Sequence, residues 1–449
     1  MKKIRFSTTQ IIMLNFALAI LVGSILLALP ISSAGAEAVP YIDALFTATT
    51  SICVTGLVTV PTFSAWSLFG QIVIVILIQI GGLGVITVMT GVMITLHRKI
   101  GMKERMLIQD AFNLNTLSGL VRFIRKVLLG TFLVEGIGAL LYMTVFVPEY
   151  GARGIWISIF NSVSAFCNAG MDIMSADSLC AYVSNPMVNF VTCALIVLGG
   201  IGYIVWWDVI RVVKDIRSKK LKCFSELTLH SKIALSVTGG LIVIGAAAIF
   251  IFEYNNPLTM KDFSLFDKIQ ASVFQSVTTR TAGFVTIQQQ DLTNASAIVS
   301  LLLMFIGGSP VGTAGGIKTV TLAVLFLATF ATIKNKDEVS VFHRTISKQS
   351  INKTVSVVCI SFMIMFISTL LLSVVTDADA LDIAYETVSA TATVGLTRNL
   401  TSSLNLWGKM IIIATMYLGR VGPISLVIAF NAKKRRNIIK NPIEEISVG

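Results

Sequence analysis

Four short segments, each built on a single glycine, carry the residues that could take over a cation's hydration shell. They are Val54-Thr55-Gly56-Leu57, Asn168-Ala169-Gly170-Met171, Thr281-Ala282-Gly283-Phe284 and Thr393-Val394-Gly395-Leu396. Glycine permits positive φ and leaves no side chain in the path. Four such turns around one axis could aim carbonyl oxygens inward at a dehydrated ion. The glycines are spaced 114, 113 and 112 residues apart, a regularity that points to a quasi-fourfold repeat.

The elements that must position these turns follow from the flanking sequence. Each turn is preceded by a short segment rich in Ser, Thr and Ala, at 43–53, 156–167, 267–279 and 382–392. Such a helix is about 16 to 20 Å long at 1.5 Å per residue, too short to cross a bilayer, so it must enter and turn back. Its C-terminal end adds negative potential beside the turn. Asp43 and Asp382 stand near the starts of two of these helices, where a carboxylate favours the positive end of the dipole, so both are expected to act as caps.

The rest of the chain reads as lipid-facing. Of 449 residues, 55% are apolar and 13% charged, which excludes a disordered chain and disfavours a soluble domain. Runs long enough to span lie at 11–30, 67–96, 127–147, 187–207, 233–252, 297–330, 354–375 and 406–430. On that eight-span topology, 27 of the 35 Lys and Arg fall on one face and six on the other. The positive-inside rule makes the 27-charge face and both termini cytoplasmic and puts the glycine turns outside. The net charge of +12 is thus mainly a topology signal, with anionic lipid headgroups as secondary contacts and no nucleic acid partner.

Competing chemistries are poorly supported. Lys2, Lys3 and Arg5 before an apolar run suggest a signal peptide, but the run to Pro30 exceeds an h-region. The six cysteines (Cys53, Cys167, Cys180, Cys193, Cys223 and Cys359) form no CxxC pair or metal-ligand spacing. Gly312 to Thr319 superficially resembles a phosphate loop, yet Ile317 separates the last glycine from Lys318. His97, His230 and His343 lie in loops without a partnered acid or nucleophile, so the chain is expected to be no enzyme.

One span is interrupted. The stretch Gly307-Gly308-Ser309-Pro310-Val311-Gly312-Thr313-Ala314-Gly315-Gly316 would cost a continuous helix on the order of 8 kcal/mol, so it is expected to form a flexible intramembrane loop. Arg420 stands 25 residues after Gly395, and the loop starts 24 after Gly283, which puts both at similar depth. An arginine there faces protein or water, and we expect it to donate to loop carbonyls and oppose cation passage. Lys318 is expected to snorkel to the cytoplasmic surface, and Glu135 to make a local hydrogen bond in an outer helix.

Together these residues resemble the membrane subunit of the Trk/Ktr/HKT superfamily of potassium transporters, most closely a bacterial Ktr-type subunit. The likeness is carried by Asp43-Ala44-Leu45-Phe46 with the first turn, Gly81-Gly82-Leu83-Gly84, Arg280 with the third turn, Leu418-Gly419-Arg420 and Gly422-Pro423. It implies an all-α integral membrane protein of four tandem helix/pore-loop/helix units with pseudo-fourfold symmetry, eight transmembrane helices and four re-entrant pore helices. The units are 1–97, 98–211, 212–333 with the broken second helix, and 334–449 with a cytoplasmic tail. It also implies that Gly56, Gly170, Gly283 and Gly395 line a potassium filter, with carbonyls of Val54, Thr55, Asn168, Ala169, Thr281, Ala282, Thr393 and Val394 as ligands. In plant relatives, serine in place of the first glycine goes with sodium preference, so Gly56 favours potassium. The loop glycines (Gly307, Gly308, Gly312, Gly315, Gly316) and Arg420 would form the gate. The resemblance further implies a homodimer, one pore per protomer, a separate nucleotide-binding ring of the RCK type on the cytoplasmic face, and no cofactor in this chain, sodium being a coupling or modulating ion. The alternative is a sodium-coupled, alternating-access symporter, although such carriers often have two inverted repeats.

Overall fold

The computed structural model describes residues 8–35, 37–97, 100–111, 119–214 and 223–422. The final part of the eighth apolar run, Pro423, and the basic stretches at both termini lie outside them. Fifteen helices matter for the site. In chain order they are α1 (Thr8–Leu27), the short α2 (Tyr41–Cys53), α3 (Leu68–Leu83), α4 (Val85–Thr95), α5 (Leu120–Tyr150), α6 (Ala152–Cys167), α7 (Pro186–Gly200), α8 (Tyr203–Lys214), α9 (Leu229–Glu253), α10 (Leu265–Thr278), α11 (Asn294–Phe305), α12 (Thr319–Ile333), α13 (Lys348–Val375), α14 (Ala380–Ala392) and α15 (Leu406–Val421).

Among the described residues four helices, α1, α5, α9 and α13, are each long and apolar enough to cross a membrane. The pairs α3/α4 and α7/α8 pass the same test jointly but are bent by 100° and 101°. The apolar runs at 67–96 and 187–207 are thus each interrupted by a sharp bend. Each bend falls at a glycine with positive φ, Gly84 (+85°) and Gly202 (+91°), a conformation that a helix cannot contain. The signal was present as a repeated Gly-Gly-x-Gly, at Gly81 to Gly84 and Gly199 to Gly202.

The second helices start on a sequence-encoded cap. Ser67, Asn185, Thr293 and Asn405 each accept a backbone N–H from the first turn of α3, α7, α11 and α15. The four short helices α2, α6, α10 and α14 form the buried centre, with Phe46, Phe160, Phe274 and Tyr385 inaccessible. Their buried hydroxyls bond back to carbonyls four residues earlier, as in Ser51 to Thr47, Ser158 to Gly154, Ser272 to Lys268 and Thr387 to Ile383. That satisfies the polar groups without breaking the helix. The outer helices instead expose large apolar side chains, among them Leu129, Leu133, Leu140, Val243, Ile251 and Leu371, as lipid contact requires.

Candidate functional site

Each short helix ends in the same backbone figure. Val54, Asn168, Thr281 and Thr393, all two residues before their glycine, adopt φ of +55°, +60°, +67° and +54°. The glycines follow at +99°, +66°, +86° and +95°, with a residue of negative φ between. The turn N–H groups point back into the helix: Thr55 N donates to Thr50 O, Ala169 N to Ser164 O, Ala282 N to Thr278 O and Val394 N to Ser389 O. Side chains complete this, Gly56 N donating to Thr50 Oγ1 and Gly395 N to Ser389 Oγ, while Ser164 accepts from Met171 N.

The carbonyls are treated differently. Val54, Thr55, Asn168, Ala169, Thr281, Ala282, Thr393 and Val394 are all at most 1% exposed, and among the described residues none of their carbonyl oxygens accepts a hydrogen bond. A buried acceptor without a partner costs about 1 to 3 kcal/mol, which makes these eight carbonyls candidate ligands for a cation. The turns also converge. A β-carbon on Gly56 would strike the carbonyl oxygen of Ala169, on Gly170 that of Ala282, on Gly283 that of Val394, and on Gly395 that of Thr55. The four glycines are therefore in mutual contact in chain order, closing on themselves.

On one side they line a cavity of about 250 Å³ shared with Thr59, Asp172, Asp177, Gln288, Gln289, Thr397 and Thr401. Asp172 and Asp177 were not singled out from the sequence; lying two and seven residues after Asn168-Ala169-Gly170 was the only signal available. Burial pushes the Asp172 carboxyl above the usual aspartate range, opposed by hydrogen bonds from Ser178 and the Met174 and Ser175 backbone.

On the other side lies the break between α11 and α12. Its backbone is anchored rather than loose: Gly307 N donates to Ile317 O, Ile317 N to Phe305 O, Ser309 N to Gly200 O, Thr313 N to Gly199 O and Thr319 N to Gly308 O. Tyr203 N, at the start of α8, donates to Val311 O, and Thr313 Oγ1 donates to Phe166 O at the end of α6. Gly315 N donates to Thr281 Oγ1, so the segment touches a turn residue directly. Gly312 packs on the carbonyls of Gly199 and Gly200, and Gly316 on Gly307.

Arg420 donates to Thr313 O at 2.7 Å and to Gly81 O at 2.6 Å, tying the segment to α3. Lys318 does not run to a surface: its Nζ folds back to Ala314 O at 2.6 Å and Gly315 O at 3.3 Å. Both cations line a second cavity of about 240 Å³ with Gly84, Val311, Gly312 and Ala314. Glu135 is buried and accepts from Gln79 Nε2 at 3.2 Å, with Cys167 Sγ 3.8 Å away, so it joins α5 to α3 and α6 rather than bonding locally.

Asp43 and Asp382 also differ from expectation. Neither caps its helix by a side-chain hydrogen bond; the preceding N-caps are Pro40 and Asp379. Asp43 pairs with Lys409 at 2.5 Å, joining α2 to α15, and Asp382 pairs with Arg398 at 2.7 Å, whose other arm donates to Gln289 O. Each acid sits where a dipole favours it, but a basic residue takes its oxygen.

Four glycine turns in mutual contact, enclosed by apolar helices long enough to cross a membrane, are features of a multi-pass membrane protein. The chain belongs to the TrkH cation transport protein family, whose model matches residues 3–439, and within it to the Ktr/Trk potassium uptake transporters. It is 40% identical to the Ktr system potassium uptake protein B of Bacillus subtilis (strain 168), covering 100% of this chain and 98% of that protein. It is 39% identical to the potassium/sodium uptake protein NtpJ of Enterococcus hirae, covering 99% and 98%. The crystal structure of the potassium transporter TrkH from Vibrio parahaemolyticus superposes with a TM-score of 0.75 at 16% identity, covering 95% and 86%, and shows the same fold. The chain is a transporter, not an enzyme.

Proposed function

We propose that this chain is the ion-translocating subunit of a Ktr-type system, which takes up potassium through a carbonyl-lined filter gated by the intramembrane segment 306–318. The observation that carries the reading is the set of eight buried carbonyls that accept no hydrogen bond beside four mutually touching glycines. Alternating positive and negative φ turns successive carbonyls to one side, the arrangement that can replace a potassium ion's water. Four short helices ending at this point add negative potential. The turns then stand around a pseudo-fourfold axis, with eight spans, four re-entrant helices and one unit per quarter of the chain. The Asp172 cavity is the extracellular mouth, and the termini are cytoplasmic. The segment lies across the path below, held by Arg420.

Homodimerisation, regulation by a cytoplasmic nucleotide-binding ring and contact with anionic lipid complete this reading, with sodium as a modulating ion. A second reading, a sodium-coupled alternating-access symporter, is favoured by the potassium/sodium uptake that the Enterococcus relative's name gives.

The test is potassium uptake in a transporter-deficient bacterium. Gly56→Ser and Gly283→Ser are expected to lose uptake or potassium preference, because a side chain at either position strikes the next turn. Arg420→Ala is expected to leak. Wild-type behaviour from all three overturns the assignment.

A further inference from the structure

Three consecutive carbonyls of the broken span, those of Thr313, Ala314 and Gly315, are each held by a cationic side chain: Arg420 on the first, Lys318 on the other two. All three residues are buried. The row adjoins the glycine turns, since Gly315 N donates to Thr281 Oγ1 and a β-carbon on Gly315 would strike Thr393 Oγ1. An ion leaving those turns therefore meets another run of oxygens of the same chemistry, already occupied by the chain's own positive groups.

The two occupants differ in kind. Arg420 bridges two elements with a rigid fork, through Thr313 O and Gly81 O. Lys318 carries a compact charge on a rotatable stem, and its ammonium donates to Ala314 O and Gly315 O of its own segment. An ammonium and a dehydrated monovalent ion make the same demand on a carbonyl, so each can stand in for the other. Two local fields oppose Lys318 where it lies. It is the N-cap of α12, at the positive end of that helix dipole, and it shares a cavity with the Arg420 guanidinium. The carbonyls hold it against both, and the same cavity offers the side chain somewhere to go.

We propose that the Ala314 and Gly315 carbonyls form a monovalent-cation site beneath the glycine turns, filled by the Lys318 ammonium as a tethered competitor while the path is shut and taken over by the transported ion when Lys318 swings into the adjoining cavity. This rests on the reading of segment 306–318 as the gate and adds a site and an occupant to it.

The experiment measures rubidium flux into proteoliposomes holding the full-length chain with its cytoplasmic partner, for wild type, Lys318→Gln, Lys318→Cys and Arg420→Ala. Both Lys318 variants are expected to raise resting flux several-fold. Treating Lys318→Cys with 2-aminoethyl methanethiosulfonate, which rebuilds an ammonium at about the original reach, should bring flux back to the wild-type level. Methyl methanethiosulfonate, which adds no charge, should not, and neither reagent should change wild type. Flux at or below wild type in both Lys318 variants, equal action of the two reagents, or aggregation of both variants in detergent would each overturn the proposal, the last by assigning Lys318 to folding. Arg420→Ala separates the two levels: if it leaks while the Lys318 variants do not, the gate stands and the tethered competitor falls; if it does not leak, the gate reading falls first.

Discussion

At the residue scale, glycine is used here in two ways. The four turn glycines need positive φ. Gly81, Gly199 and Gly419 are helical and serve close approach instead: a β-carbon on each would strike the carbonyl oxygen of Ile52, Phe166 or Thr391, always four residues before the turn glycine. Replacing such a glycine by alanine sets about 1 kcal/mol of helix propensity gained against about 1 to 3 kcal/mol of overpacking, and a backbone oxygen cannot step aside. Gly199→Ala is therefore expected to lower the thermal midpoint in detergent by several degrees. Gly136→Ala, in α5 with nothing within 4 Å, is expected to leave it unchanged or raise it. The reverse order would show that close approach is unimportant. The turn glycines were legible because their spacing repeats. The fold-back of Lys318 was not, since nothing in a sequence states which way a four-carbon stem runs, and Glu135 found its partner on a helix 56 residues away.

At the element scale, the sequence displayed the short helices to within a few residues, because their length and their Ser, Thr and Ala content separate them from spans. Hydropathy concealed the 100° bends, because α4 and α8 remain apolar enough to continue a run, and only the repeated Gly-Gly-x-Gly marked them. Elements are also joined by charge. Lys409 and Asp43, with side chains 16% and 8% exposed, clip α15 to α2 across the first and last units. Lys409→Ala would strand a nearly buried carboxylate, and removing one partner of such a pair costs about 3 kcal/mol or more. Thermal unfolding should show a large loss for Lys409→Ala and recovery of most of it in Asp43→Asn/Lys409→Met. Additive losses in the double variant would mean that the pair is only a surface contact.

At the scale of the whole molecule, the pore and carrier readings predict different fluxes. In reconstituted vesicles the pore reading expects flux that outruns carrier turnover and shows no fixed sodium-to-potassium stoichiometry. Saturable co-transport at a constant ratio would favour the symporter. The family and its broad fold were legible from a handful of motifs in order. Contacts between distant units were not, because Asp43 meets Lys409 and Thr313 meets Arg420 only after the chain closes.

That closure in chain order, Gly56 against Ala169 and so on round to Gly395 against Thr55, has an evolutionary reading. In an assembly of four identical subunits, one codon change alters every quadrant at once. Here the four turns are encoded separately, so a mutation enters a single time and its neighbours stay as they were. On the proposed reading of the turns as the filter, ion preference would drift by quarter steps, with the already divergent Asn168-Ala169-Gly170-Met171 turn as its starting point.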